Sequence, residues 1–249
     1  MRVRFRFTKL GKVRFTSHRD VARMWERALR RAALPVAYTG GFSPRPKLSF
    51  GLALSTGHES LAEYVDVDLG ADVDPAALPD RLSTALPVGI DVTAAAPVEP
   101  GAASLQESVG SCTFRIEALG LDPRTAAQFV GAALAADELI VTRTRKGREV
   151  TDDLRPAVLT VSVTGPTADG TELLAELAVH PRSARPVELL DALQPGTREG
   201  RVLRTAQWTW RDGARAEPLE ATSGADWRID VGPRTAAGAR DPERIGAGA

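Results

Sequence analysis

Cysteine is nearly missing from this chain: Cys112 stands alone among 249 residues, so neither a disulfide framework nor a site built on several thiolates is open to it. An iron–sulfur cluster held by three or four cysteines is excluded with them. Asparagine does not occur, and lysine is scarce at 4 against 28 arginines. A GC-rich coding sequence produces that skew unaided, so the number of arginines carries no weight and only their placement does. No apolar run is long enough to span a bilayer. The opening RVRFRF reads as a charged strand and not as a signal peptide. A cytoplasmic protein that leaves membranes alone is expected. There is no Gly-rich phosphate loop, no GxSxG and no HExxH, and no carboxylate or histidine spacing that reads as a metal site.

What is present is charge, sorted by position. The net charge is zero, yet residues 1–50 hold 13 Arg and Lys against Asp20 and Glu26, a net of +11. Residues 51–110 hold ten acids against Arg81, a net of −9. A basic segment followed by an acidic one says more about partners than the total does. With 43% hydrophobic residues the chain also has enough apolar surface for a core.

The hydrophobic pattern gives an element order. Residues 2–7 alternate strictly, Val3, Phe5 and Phe7 against Arg2, Arg4 and Arg6. Ser17 with Asp20 three residues on marks a helix start, and Pro35 marks its end. A strand near 48–55, the alternating AEYVDVDLG, a helix in DPAALPDRLSTALP and a strand in VGIDVTAAAPV complete a β-α-β-β-α-β series, the ferredoxin-like or split βαβ unit. The order then repeats. The expected fold is therefore α+β: two tandem ferredoxin-like units at 1–98 and 109–213, a linker at 99–108 and a disordered tail at 214–249. In that unit the first and third strands are neighbours, so Arg2, Arg4 and Arg6 are expected to face Asp66 and Asp68 in cross-strand ion pairs.

On the helix after Ser17, Val21, Met24, Trp25, Ala28, Leu29 and Ala32 form one apolar stripe. Arg19, Arg23, Arg27, Arg30 and Arg31 gather opposite it. Either this is an ordinary solvated face or it meets a polyanion. A solvated helix usually mixes signs, because opposite charges at i,i+4 help and like charges repel; here Glu26 is the one acid past the first turn. The following loop, YTGGFSPRPKLSFG, sets Tyr38, Phe42, Arg45 and Lys47 side by side. Aromatic platforms beside cations are the equipment of single-stranded RNA binding; the competing reading is a turn whose Phe42 and Phe50 tuck into the core. In the second half, Arg143, Arg145, Lys146 and Arg148 form either a matching surface or an exposed hairpin tip. Asp153 and Arg155 read as a structural pair or a loop clamp near it. The one acid–base candidate is His18 at the helix start, a possible base toward a ribose hydroxyl with Tyr38 or Lys47 assisting.

The stretch FTKLGKVRFTSHRDVARMWERALRRAALPVAYTGGFSPRPKLSFGLAL, with TDDLRP at 151–156, resembles the radical-SAM-linked family of bacterial domains. The matching positions include Lys9, Gly11, Arg14, His18, Asp20, Arg27, Arg31, Tyr38, Gly41, Phe42, Phe50, Asp153 and Arg155. The resemblance implies a separately encoded radical SAM protein as partner and supplies no reaction. The leading expectation is a non-catalytic, cofactor-free RNA-binding subunit that acts with such a partner in tRNA or rRNA modification. A metal-independent endoribonuclease and a protein–protein adaptor are the alternatives.

Overall fold

The computed structural model describes residues 1–145, 147–211 and 214–219. The opening alternation becomes β1 (Arg2–Lys9), which buries Val3, Phe5 and Phe7 and turns the odd-one-out arginines to the other face. A 3-10 turn over Gly11–Phe15 leads into α1 (His18–Arg31). The Ser17 hydroxyl accepts from the Asp20 N–H while the Asp20 carboxylate accepts from the Ser17 N–H, so the capping box is closed both ways. At the far end the N–H of Ala33 donates to the Arg30 carbonyl and that of Leu34 to the Leu29 carbonyl. This is a Schellman stop with Ala33 in the left-handed region, φ 48°.

The chain continues through β2 (Leu48–Phe50), β3 (Glu59–Asp68), α2 (Leu78–Ala85) and β4 (Val92–Pro97). Antiparallel pairing in the order β4-β1-β3-β2 makes the first ferredoxin-like unit. Next come α3 (Leu105–Ser108), β5 (Val109–Leu119), α4 (Pro123–Ala135), β6 (Ile140–Arg145) and β7 (Arg148–Asp153). β8 (Val158–Pro166), β9 (Gly170–Ala178), α5 (Pro186–Leu193) and β10 (Glu199–Arg211) follow. The order β10-β5-β9-β8 repeats the unit, with β6 and β7 inserted as a separate two-stranded hairpin.

The strand expected near 48–55 shortens to three residues, because β10 takes over the N-terminal part of β3. The two run parallel there, Leu203 opposite Glu59 and Arg204 opposite Ser60. The units thereby share one nine-stranded sheet among the described residues. Residues 99–108, expected to be a bare linker, contain α3, capped by Ser104 and Glu107, and Leu105 is buried with Ala62 and Tyr64. The expected tail is corrected at its start: β11 (Ala214–Ala216) pairs with β10. There the Arg215 guanidinium lies 3.7 Å over the Trp208 ring and bonds Glu176 at 2.8 Å, contacts that a Gly- and Ala-rich composition does not advertise. Residues 220–249 of that expected tail lie outside the described residues.

Register shows how the faces line up. Glu63 stands opposite Phe7, and Arg204 opposite Phe114, so both charges lie on the apolar, helix-covered face of their unit. They meet there in a hydrogen-bonded ion pair, which means that α1, α2, α4 and α5 all cover the same face of the common sheet. The opposite face carries the expected ion pairs, Arg2–Asp68 at 2.7 Å and Arg4–Asp66 at 2.8 Å. Each unit has its own core; that of the first is centred on Trp25, whose ring lies 5.6 Å from Phe5 and 5.1 Å from Phe7.

Candidate functional site

The α1 arginines are all exposed, and the core packing of Val21, Trp25, Ala28 and Leu29 fixes which way they point. Arg23 sits 3.7 Å from Asp20 one turn back. Arg31 donates to the Ala85 carbonyl at 2.9 Å and ties α1 to the end of α2. Among the described residues, the side chains of Arg19, Arg27 and Arg30 make neither a hydrogen bond nor an ion pair. Of the acids that follow in sequence, Asp66 and Asp68 hold Arg4 and Arg2 on the sheet, while Arg6, expected to face the same two, bonds Glu217 and the Thr93 hydroxyl instead.

Residues 36–47 form a narrow ribbon that projects from the sheet. The Ala37 N–H donates to Asp68, Lys47 to Ala37 and Thr39 to Arg45, while the Arg45 N–H donates to the Thr39 hydroxyl at 3.0 Å. Gly41 makes the turn at φ 109°, open to glycine and strained for other residues. Phe42 at the tip is fully exposed and Tyr38 half exposed, so the reading in which Phe42 tucks into the core is overturned. Phe50, in contrast, is partly buried, edge-on to Phe7 at 6.5 Å and to His18 at 5.1 Å. Arg45 and Lys47 are exposed.

Where β1, α1 and β2 converge there is a shallow, solvent-open cleft with enclosed room for about one water molecule, lined among others by Phe7, Lys9, His18, Phe50, Leu52, Leu54 and Glu63. His18 stands exposed at its rim, while Lys9 and Glu63 are buried. The Lys9 ammonium donates to the carbonyls of Arg14 at 3.3 Å and Thr16 at 3.0 Å, which brings the 3-10 turn against β1. Burial holds Lys9 below its ordinary pKa, with Glu63 pulling it back up and Arg204 pushing it further down. Arg204 donates two hydrogen bonds to one oxygen of Glu63, Oε1, and a third to the Leu52 carbonyl at 3.0 Å. A second buried group beside it has His58 Nε2 at 2.8 Å from Glu199, and Glu59 accepting from Arg201 and the Gly11 N–H.

Sequence reasoning missed Lys9, Glu63 and Arg204 as a group, although each leaves a trace. All three stand at strand positions whose parity is apolar: Phe5, Phe7, Lys9; Glu63, Val65, Val67; Val202, Arg204. Burial of a charge without a partner is costly, so three such breaks in the pattern point to one another. His18 makes no hydrogen bond among the described residues, so Tyr38 and Lys47 are not joined to it as an acid–base pair.

In the second unit two of the candidate cations, Arg143 and Arg155, are taken up by neighbours. Arg143 bonds Asp152 at 2.8 Å and lies 3.7 Å from Glu188, which also receives Arg182. Asp153 does not pair with the Arg155 guanidinium; its carboxylate accepts the N–H groups of Leu139 at 2.8 Å and Arg155 at 2.9 Å and clamps the base of the hairpin. The Arg155 side chain donates to the carbonyls of Leu134, Ala136 and Val158 and so caps the end of α4. Arg148 is exposed; the side chain of Arg145 and all of Lys146 lie outside the described residues. Among the described residues no group of three or more His, Cys, Asp or Glu could hold a metal ion, and no helix is long and apolar enough to cross a membrane.

No curated protein matches the chain. One solved structure similar to it is that of a Cbf5–Nop10–Gar1 complex, at a TM-score of 0.44 and 11% identity, covering 82% of this chain and 48% of the matched one. This chain therefore spans about half the length of that neighbour. A family model described as an uncharacterized protein conserved in bacteria (DUF2344) matches residues 2–187, and the chain belongs to that family.

Proposed function

We propose that this chain is an RNA-binding accessory subunit that presents RNA to a separately encoded radical SAM protein, with the reaction lying in that partner. The carrying observation is the row Arg19, Arg27 and Arg30, exposed and unpaired among the described residues on a helix whose other face is fixed by the core. Like charges on one helix face repel, and a phosphate backbone relieves that repulsion. The ribbon supports the same reading. A phenylalanine held out in water at a braced tip gives up the free energy of burial, which a stacked base would recover. Arg45 and Lys47 on the same ribbon add phosphate partners. The choice of a radical SAM partner rests on the resemblance of residues 7–55 and 151–156 alone.

The test is binding of the full chain to tRNA and rRNA fragments across a salt series. About five phosphate contacts on a single strand predict a log–log slope of roughly −3 to −4, and Arg23→Glu with Arg27→Glu should flatten it while the fold survives. Absence of binding at low salt would overturn the RNA reading and leave the basic face to a protein partner.

A further inference from the structure

Two exposed phenylalanines bracket α1, and both stand on braced backbone. Phe42 is at the tip of the ribbon that follows the helix, and Phe15, in the turn that precedes it, is 63% exposed. The peptide groups on either side of Phe15 are pinned. The buried Lys9 ammonium donates to the carbonyls of Arg14 and Thr16, and the Gly57 N–H donates to the Arg14 carbonyl at 2.8 Å. The Arg14 guanidinium lies 4.7 Å from the centre of the Phe15 ring and 3.7 Å from Glu59. One face of the ring is thus backed, and its exposure leaves the other face to water. Among the described residues four aromatic side chains are exposed, Phe15, Tyr38, Phe42 and Trp210, and the first three belong to the segments directly before and after α1. Between them Arg19, Arg23, Arg27 and Arg30 follow one another at i+4, i+4 and i+3, which makes one row along the helix axis.

We infer that this row and its aromatic ends form a track for one single-stranded stretch of RNA, with Phe15 backed by Arg14 as the stacking platform before α1 and Phe42 as the platform beyond it. This deepens the RNA reading and rests on it. A duplex keeps its bases stacked on one another and offers an exposed ring nothing to stack on except at its ends, whereas every base of a single strand has a π-face to give. The length agrees. The 14 residues of α1 span about 21 Å, which about six nucleotides cover at the roughly 3.4 Å spacing of a stacked strand. That lies in the range of about 4–16 nucleotides that single-strand-binding folds occupy. The buried Lys9 fits the same account. Taking an ammonium out of water to hold a turn costs free energy, and a platform fixed beforehand loses less freedom when a base arrives.

The experiment is fluorescence anisotropy of the full chain with a labelled RNA dodecamer of unstructured sequence, alone and annealed to its complement, at low salt. The single strand should bind one per chain and about fivefold more tightly than the duplex or better. Phe15→Ala should weaken the single strand by about fivefold or more, the low end of what one stacked base supplies, and leave the duplex unchanged. Its salt slope should stay that of the unaltered chain, because no phosphate contact is removed. Phe15→Trp should restore the affinity. A loss within about twofold in Phe15→Ala, or equal losses on single strand and duplex, would overturn the track and leave the RNA reading standing. A duplex that binds as tightly as the single strand would do the same. So would failure of Phe15→Trp to restore binding, since the position would then not be supplying a ring to stack on. Absence of binding by either form at low salt would remove the RNA reading and this inference together.

Discussion

α1 and α4 occupy the same place in the two units, each crossing from the first strand of its unit over the same face of the common sheet. α1 carries five arginines on its outer side. α4, PRTAAQFVGAALA, carries Arg124 alone. Both helices are held by their inner faces, so the fold does not demand the difference. Outside α4, Arg115 is held by Glu172, Arg143 by Asp152 and Arg155 by the last carbonyls of α4, while the exposed Arg148, Arg185 and Arg198 lie on three separate segments. A biased coding composition would enrich both units in arginine. It does not explain why the exposed arginines of the second unit are scattered while three open ones of the first stand on a single helix.

The two units can be told apart first by breaking what joins them. Arg204→Ala leaves the Glu63 carboxylate buried at the seam without its cation, and removing one partner of a buried pair costs about 3–5 kcal/mol. Urea unfolding should show that loss, and it should fall on both units if the seam makes them one cooperative body. Replacing the pair together, Glu63→Leu with Arg204→Met, should recover most of it, since no lone charge remains. Next in size is the contrast between the helices themselves. Arg27→Glu should weaken RNA binding by about tenfold at low salt, while Arg124→Glu on α4, the same change of charge, should leave it within about twofold. Equal losses from both would mean that binding follows net charge and that the comparison has no functional content.

Much of this arrangement is legible in the residues before any coordinates. The alternation of Arg2 to Phe7 and of Tyr64 to Asp68, once the repeat suggests a ferredoxin-like unit, puts Arg4 beside Asp66, because the topology fixes the neighbours and period two fixes the faces. The capping box at Ser17 is local and reads directly. What fails is whatever depends on pairing between distant segments. The β6–β7 hairpin looks like part of the main series because a strand's period does not say which sheet it joins. β2 is cut short by a strand some 150 residues later in the chain, and three residues of a Gly- and Ala-rich end become β11 because Trp208 and Glu176 await Arg215. The cleft is hidden for the same reason. Glu63 and Arg204 are 141 residues apart, and only their shared break of apolar parity hints that they meet.

The helix ends separate the units on a smaller scale. Ala33 terminates α1 at φ 48°, where a side chain is strained, whereas Ala136 terminates α4 in extended backbone at φ −74°, ψ 144°. Ala33→Gly should therefore stabilise the protein by about 0.5–1 kcal/mol, while Ala136→Gly should give no gain and a small loss from the unfolded side. Thermal unfolding of the two variants checks the sign.

The helix starts make the finest distinction, and pH exposes it. The first N–H groups of α4 rest on the Asp122 carboxylate, which accepts from Arg124 and Thr125 at 3.1 Å each. Bonds from Thr125 in the first place hold its pKa below the ordinary carboxylate value of 3.8. A carboxylate depressed on folding contributes stability that is present above the unfolded pKa and is lost as pH falls through the folded one. The α4 cap should therefore weaken as pH drops below 3.8. α1 differs in its chemistry: the Asp20 N–H donates to the Ser17 hydroxyl, an acceptor that does not titrate, although the reciprocal Asp20 bond is lost in the same acid range. Amide exchange at Thr125 should rise on acidification, relative to its intrinsic rate, before exchange at Asp20 does. Asp122→Asn keeps an acceptor at the cap and removes the titration, so it should flatten the Thr125 profile and leave that of Asp20 unchanged. If Thr125 still loses protection in that variant, α4 is held at its start by the core beneath it and not by its cap.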